Sequence, residues 1–181
     1  MRILMVHNKY AVISGEEIMV DRIINLLRHN NHEVQAFFKD SAQIGTGFMR
    51  KANSFFNGIY SFSARREIVK VLDQFRPDCV QIQNLFPLIS PSILSLIKSR
   101  GIPIVMRCSN FRLICPNGLF LSHGQLCEKC RGGYEYWCVF KNCENNIFKS
   151  VGYALRNCVA RKLKLYTENI NREDALISMI I

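Results

Sequence analysis

The chain has 181 residues and, with 24 Lys+Arg against 14 Asp+Glu, a formal charge of +10. That length suits one domain, able to bury roughly two-thirds of its unfolded surface without disulfides. Its 49% hydrophobic and 21% charged residues exclude a disordered or collagen-like chain, and no apolar run reaches the roughly 18 residues of a membrane-spanning helix.

Arg2 to Val6 is a short apolar run closed by His7-Asn8-Lys9-Tyr10, the pattern of a strand buried on both faces. Ser14-Gly15-Glu16-Glu17 then opens a helix whose apolar face is Met19, Val20, Ile23, Leu26 and Leu27. Ser14 stands as N-cap and Glu17 three residues on, the spacing of a capping box. Glu33 to Phe38 is a second strand, so the first 38 residues predict a right-handed crossover unit. Residues 40 to 62 break the pattern with Gly, Ser and aromatics, among them Phe48, Phe55, Phe56, Tyr60 and Phe62, beside Arg50 and Lys51.

Ala64 to Phe75 is helical, Arg76-Pro77-Asp78 ends it, and Cys79 to Gln83 alternates as a strand. Pro91 suits the first turn of a helix carrying Ile93, Leu94, Leu96 and Ile97. Gly101-Ile102-Pro103 then leads into the strand Ile104-Val105-Met106. Strands alternating with helices predict an α/β fold, a doubly wound Rossmann-like parallel sheet whose ligands bind beyond the carboxyl ends of the strands. Residues 109 to 146 hold five cysteines as an inserted loop, and helical spacing returns at Phe148, Val151, Leu155, Val159 and Tyr166.

The loop at Ser14, Gly15 and Glu16 offers backbone N–H groups and a positive helix end to a phosphate, although one glycine also fits a plain tight turn. Gly45-Thr46-Gly47 is a weaker candidate, since no strand runs into it. Met1 to His7 is too short for a signal peptide. A cytoplasmic chain follows, and its eight cysteines read first as thiols or metal ligands. Cys127 and Cys130 have the two-residue gap of a zinc knuckle, with Cys115 and Cys143 flanking it. Those four thiolates would make a closed structural zinc site, Cys138 being the rival for the fourth position. The alternatives are reduced thiols in a loop or a redox pair at Cys127 and Cys130. Cys79, Cys108 and Cys158 fall in strand or helix patterns and read as small core residues.

The helix 147 to 166 carries Lys149, Arg156, Arg161, Lys162 and Lys164 with no acid, opposite an apolar side. Such a helix either lies on an anionic membrane or packs its apolar side on the domain with the basic side solvated. Of the four histidines, only His7 stands where ligands approach, and no Ser-His-Asp arrangement is evident.

Taken together, Met-Arg-Ile-Leu-Met-Val-His-Asn, Ser14 to Glu17, Arg76-Pro77-Asp78, Asn84-Leu-Phe-Pro-Leu-Ile-Ser-Pro91 and Asn110-Phe-Arg-Leu-Ile-Cys-Pro-Asn-Gly118 resemble a known family. It is the N-terminal half of bacterial family 4 glycosyltransferases, in a cysteine-bearing branch. The resemblance runs from residue 1 to about 165, and it implies a GT-B enzyme in which two Rossmann-like domains face each other across a cleft. It implies sugar transfer from a nucleotide-diphosphate sugar to a lipid-linked saccharide or other cell-envelope acceptor at the inner membrane face, with no catalytic metal. By the resemblance, Ser14, Gly15 and Glu16 approach the donor phosphates, while His7, Asn84, Asn110 and Arg112 line the cleft. The departures are specific. Ser109 stands where the family usually has a histidine, Gln81 and Gln83 replace a His-x-His pair, and Ser14 replaces a glycine.

On this reading residues 1 to 181 are one acceptor-side domain, including the insertion 109–146 and the basic helix 147–166, and the donor-binding domain is absent. The isolated half would then be inactive. A non-catalytic, membrane-docked subunit of a split glycosyltransferase is the alternative. A zinc-ribbon nucleic-acid binder is a distant third, because the α/β pattern fills most of the chain.

Overall fold

The first apolar run becomes an inner strand because both of its faces find cover. The structure, a computed structural model, describes residues 1–10, 14–44, 57–58 and 60–166. Strands β1 (Arg2–Lys9), β2 (Glu33–Asp40), β3 (Cys79–Asn84) and β4 (Ile104–Met106) form a sheet in the order β2-β1-β3-β4. Every pairing in it is parallel. On one face Ile3, Met5 and Val34 pack with Val20 and Ile24 of helix α1 (Gly15–His29). On the other, Leu4, Val6, Val80, Ile82 and Ile104 lie under α2 (Phe62–Phe75) and α3 (Ser92–Lys98). Alternate residues of β1 therefore serve opposite layers, as a doubly covered parallel strand requires. The Rossmann-like α/β arrangement expected from the sequence is the observed one.

The capping box forms: Ser14 is the extended N-cap of α1, and Glu17 reaches back to its backbone N–H at 2.8 Å. Leu26, assigned to the apolar face by its spacing, is 63% exposed. It follows Ile24 by two residues, about 200° around the helix, and so points away from the sheet.

The cysteine-rich stretch has more regular structure than its sequence suggests. A two-stranded hairpin, β5 (Leu121–Ser122) and β6 (Gln125–Leu126), turns at His123 and Gly124, both at positive φ. Helix α4 (Tyr136–Phe140) follows, and then α5 (Ile147–Lys162), capped by the Asn146 side chain. The inner side of α5 is built from small and polar residues, including Ser150, Gly152, Ala154 and Asn157. Its bulky apolar residues turn outward: Phe148 is 85% exposed, and Val151 and Leu155 are each 45% exposed. Small side chains let the helix backbone come close to Cys130 and Cys138, which pack on Ala154.

Among the described residues no helix is long and apolar enough to cross a membrane. Most of the aromatic and basic segment 48–62 lies outside the described residues, as do Gly45-Thr46-Gly47; Tyr60 and Phe62 are described and exposed.

Ile68 of α2 is fully buried against the sheet. Ile68→Ala is expected to cost about 2–5 kcal/mol in urea unfolding, whereas Leu26→Ala should stay within about 0.5 kcal/mol of the parent.

Candidate functional site

The carboxyl ends of β1 and β3 carry buried polar residues. The last turn of β1 carries His7 and Asn8, both with 0% exposure. Asn8 Oδ1 accepts from Leu88 N–H at 2.9 Å, and its amide donates to Ser41 Oγ at 2.7 Å. Asn84, at the end of β3, donates to Asn8 O at 3.1 Å and accepts from Phe86 N–H at 3.1 Å. These two asparagines lock β1, β3 and the Leu85–Leu88 turn together; within that turn the Phe86-Pro87 peptide is cis.

Between β1 and β3 the register slips by one residue, Val6 facing Ile82 and His7 facing Asn84. Gln83 is the extra residue of that bulge, a device that re-aims a side chain at a strand end. Arg107 directly follows β4, with its N–H donated to Ile82 O at 2.9 Å. Gln83, Asn84 and Arg107 border a shallow depression together with Glu16, Ser109, Asn110 and Arg112. It opens at the carboxyl ends of β3 and β4, where a doubly wound sheet binds its ligands.

The structure brings most of the sequence-derived candidates to this place. Glu16 accepts from Ser109 Oγ at 3.2 Å, joining the start of α1 to the loop after β4. Asn110 Oδ1 accepts from Arg112 N–H at 3.0 Å, a local turn that fixes the loop. Arg112 stands with its guanidinium carbon 5.7 Å from the Tyr153 ring centre, and its Nε lies against Gly118 without a hydrogen-bond partner. At Gly118, φ is +80°, and a Cβ there would stand 3.4 Å from the Arg112 side chain. Gly15 has open space around its Cα, so nothing obstructs the approach to the start of α1. His7, by contrast, is sealed beneath the site. Burial pushes its pKa down, and its Nε2 lies 3.6 Å from Glu17 Oε1.

Two residues at the site were not singled out by sequence reasoning. Arg107 looks like the ordinary polar end of an apolar strand. Arg156 was assigned to a basic helix face, yet it is 5% exposed. Its guanidinium lies 4.2 Å from the Phe86 ring centre and 4.8 Å from that of Tyr153, and donates to Asn157 Oδ1 at 3.1 Å. Burial lowers its pKa to about 10, so it remains a cation at neutral pH. The signal that could have marked it is its place beside Asn157 on a helix face otherwise made of small residues.

The cysteine module packs behind this cleft. Cys115, Cys130 and Cys138 are buried, at 5%, 5% and 1% exposure, and Cys143 is half-buried. Cys115 and Cys130 act on each other's ionisation, as does Cys143 on Cys138, and the two pairs feel each other's charge. As a thiol Cys115 donates to Asn117 Oδ1 at 3.0 Å. As a thiolate it would accept from Cys130 and from the N–H groups of Phe120, Gly118 and Asn117, which lower its pKa to about 6 although burial opposes them. The Cys130 thiol is pushed up by its proton-sharing with Cys115 and by burial; burial also raises Cys138, to about 12. Cys127 follows β6 and its N–H is donated to Phe120 O at 2.7 Å; its thiol is not among the groups acting on the other four. Among the described residues no three His, Cys, Asp or Glu side chains stand in metal-holding geometry. Arg161 ties the module to α5 through a paired contact with Glu135, at 2.8 and 3.2 Å.

No protein-family model and no curated protein matches the sequence. Among solved structures the chain is similar to UDP-GlcNAc 2-epimerase from Neisseria meningitidis, determined with UDP-GlcNAc bound, at 14% identity and a TM-score of 0.45. That alignment covers 98% of this chain and 45% of the epimerase, so the chain spans less than half of that protein's length.

Glu17 is the electrostatic anchor of the site's first loop. Burial opposes its ionisation, but hydrogen bonds from the Ser14 hydroxyl and from the backbone N–H groups of Tyr10 and Ser14 outweigh it and hold its pKa at about 2. A depressed carboxyl stabilises the fold above its unfolded value of 4.5, and that contribution is lost as pH falls toward 2. Glu17→Gln is therefore expected to lose about 1–3 kcal/mol of unfolding free energy at pH 7. The urea curves of the variant and the parent should converge as the pH approaches 2.

Proposed function

We propose that this chain is the acceptor-side half of a GT-B glycosyltransferase of family 4. In that reading it works with a donor-binding half to move a sugar from a nucleotide-diphosphate sugar onto a lipid-linked saccharide or other cell-envelope acceptor. One observation carries the reading: Glu16 at the start of α1, Asn84, and the Ser109-Asn110-Arg112 loop, far apart in sequence, border one cleft at the carboxyl ends of the strands. Gly15 and the start of α1 would face donor phosphates, where the helix dipole favours negative charge. Ser109 would meet the sugar as a neutral hydroxyl that accepts from a sugar O–H, its own proton being donated to Glu16. Asn84 and Asn110 keep their amides in backbone contacts, so both act by holding loops in position.

The outer side of α5 supports docking on a membrane. Phe148, Val151 and Leu155 face outward, Phe140 on α4 is 78% exposed, and Lys149 stands among them. Apolar side chains with a lysine rim are the pattern of interfacial binding to anionic lipid.

The experiment has two arms. Nucleotide sugars titrated into residues 1–181 should show no tight binding, because the donor half supplies that site. Vesicles of anionic phospholipid should sediment the chain, and Phe148→Asp should weaken that sedimentation several-fold. Submicromolar binding of a nucleotide sugar to this chain alone would overturn its assignment to the acceptor side.

We also propose that the cysteine module is organised by one structural zinc ion held by Cys115, Cys130, Cys138 and Cys143. The support is the gathering of four thiols in a small module that has little other core. Zinc would draw the two thiol pairs into one tetrahedron and stabilise the folded module. Protein purified under reducing conditions should carry one zinc per chain and lose it on Cys138→Ser but not on Cys127→Ser. Zinc well below one per chain, or retention after Cys138→Ser, would reject this ligand set.

A further inference from the structure

Gln83 is an anomaly that the transfer reaction does not explain. Its side chain is 3% exposed, yet among the described residues neither its amide nitrogen nor its amide oxygen has a hydrogen-bond partner. Apolar residues would pack such a position without that cost, and buried amides in stable proteins are nearly always paired. The neighbouring strand repeats the anomaly, because Arg107 Nη1 is likewise shielded and unpaired. The two are adjacent by register. Gln81 pairs with Val105, and two residues further along the same face stand Gln83 and Arg107.

Three features converge here. The bulge between β1 and β3 falls at Gln83, so the side chain is set by a deliberate break in the ladder. Both residues border the depression at the strand ends. A second guanidinium, that of Arg112, borders it as well. Against two arginines the charged residue of opposite sign is Glu16, whose Oε1 already accepts from Ser109.

We infer that Gln83 and Arg107 form a preorganised subsite for an oxyanion carried on a hydroxylated molecule, a sugar phosphate or a sugar carboxylate, with Arg112 adding charge at its rim. The chemistry matches group by group. The Arg107 N–H and the Gln83 amide N–H each donate to one anionic oxygen, a geometry that suits phosphate or carboxylate. The Gln83 oxygen has no donor in the protein and accepts from a neighbouring hydroxyl of the ligand. A neutral sugar satisfies the amide but leaves the guanidinium unpaired. A bare anion satisfies the guanidinium but leaves the amide oxygen unpaired. Only a ligand carrying both groups engages every orphaned atom, so the subsite selects for charge and hydroxyl together.

This subsite uses the cleft described above but does not depend on the transfer reaction. Binding of small acids to residues 1–181 can succeed where transferase activity fails, and the reverse also holds. The test is calorimetric titration of the 181-residue chain with inorganic phosphate, glucose 1-phosphate, glucuronate and glucose. Glucose 1-phosphate or glucuronate should bind at least tenfold more tightly than glucose, and more tightly than inorganic phosphate. Whichever of the two binds better identifies the anion.

Arg107→Met and Gln83→Leu should each weaken the preferred acid at least tenfold, while Arg66→Met, on the exposed side of α2, leaves it unchanged. Gln83→Leu should also raise Tm, because it removes an unpaired buried amide, and so a loss of binding in this variant will not reflect unfolding. Arg107→Lys, which keeps the charge, should recover part of the affinity. The proposal is overturned if glucose binds as well as the acids, if none of the four binds, or if Gln83→Leu and Arg107→Met bind like Arg66→Met.

Discussion

A parallel sheet covered on both faces leaves its strands no polar surface except at their ends. β1 shows this constraint directly: Leu4, Met5 and Val6 are wholly buried, and β1 pairs with β2 on one side and β3 on the other. Every backbone group inside is spent on the ladder, so specificity has to be assembled where the ladder stops. The buried polar residues His7, Asn8, Gln83 and Asn84 all stand at the carboxyl ends of β1 and β3. The rest of the cleft follows from that placement. Loops leaving those ends are the only segments free to carry Glu16, Ser109 and Arg112 toward one another.

Arg156 connects this cleft to the cysteine module. The Phe86 ring that it lies on belongs to the turn locked by Asn8 and Asn84, and the Tyr153 ring belongs to α5. Its Nη2 also reaches Pro116 O at 3.4 Å, directly beside Cys115. Among the described residues no carboxylate pairs with it, and two aromatic faces and neutral oxygens surround the cation instead. The module is thereby fastened to the sheet by a buried cation. The loop between them, residues 109 to 118, is held at both ends, with Asn157 donating to Arg112 O at 2.9 Å in its middle. A loop pinned in this way presents Arg112 to the cleft without a large ordering cost when a ligand arrives.

What could be read from the sequence was local or periodic. The Ser14–Glu17 spacing announced the capping box, and the apolar runs announced the buried strands, because both signals span only a few residues. What could not be read depended on register or on distant contacts. Gln83 is orphaned only because β1 and β3 slip by one residue between Val6 and His7, which no single strand reveals. Arg156 meets Phe86 from seventy positions away in the chain, and a helical wheel alone places it with the solvated lysines. The orientation of α5 was hidden for a related reason. Gly152 and Ala154 add little hydrophobicity but allow close approach, so packing favours the side that the apolar pattern did not mark.

The departures from the family pattern acquire a common sense in this geometry. A histidine in place of Ser109 would bring a ring beside Glu16 that is able to hold charge, and histidines at positions 81 and 83 would place two more on the same strand. This chain instead carries a hydroxyl and two amides, groups that neither gain nor lose protons in the physiological range. The cations that remain at the cleft are arginines, whose charge is fixed. Recognition here therefore works by fixed donors and acceptors rather than by titration. A cleft built in this way holds its arginine charge across the pH range that would switch a histidine. In the proposed two-domain arrangement, that makes this half a device for selection and positioning.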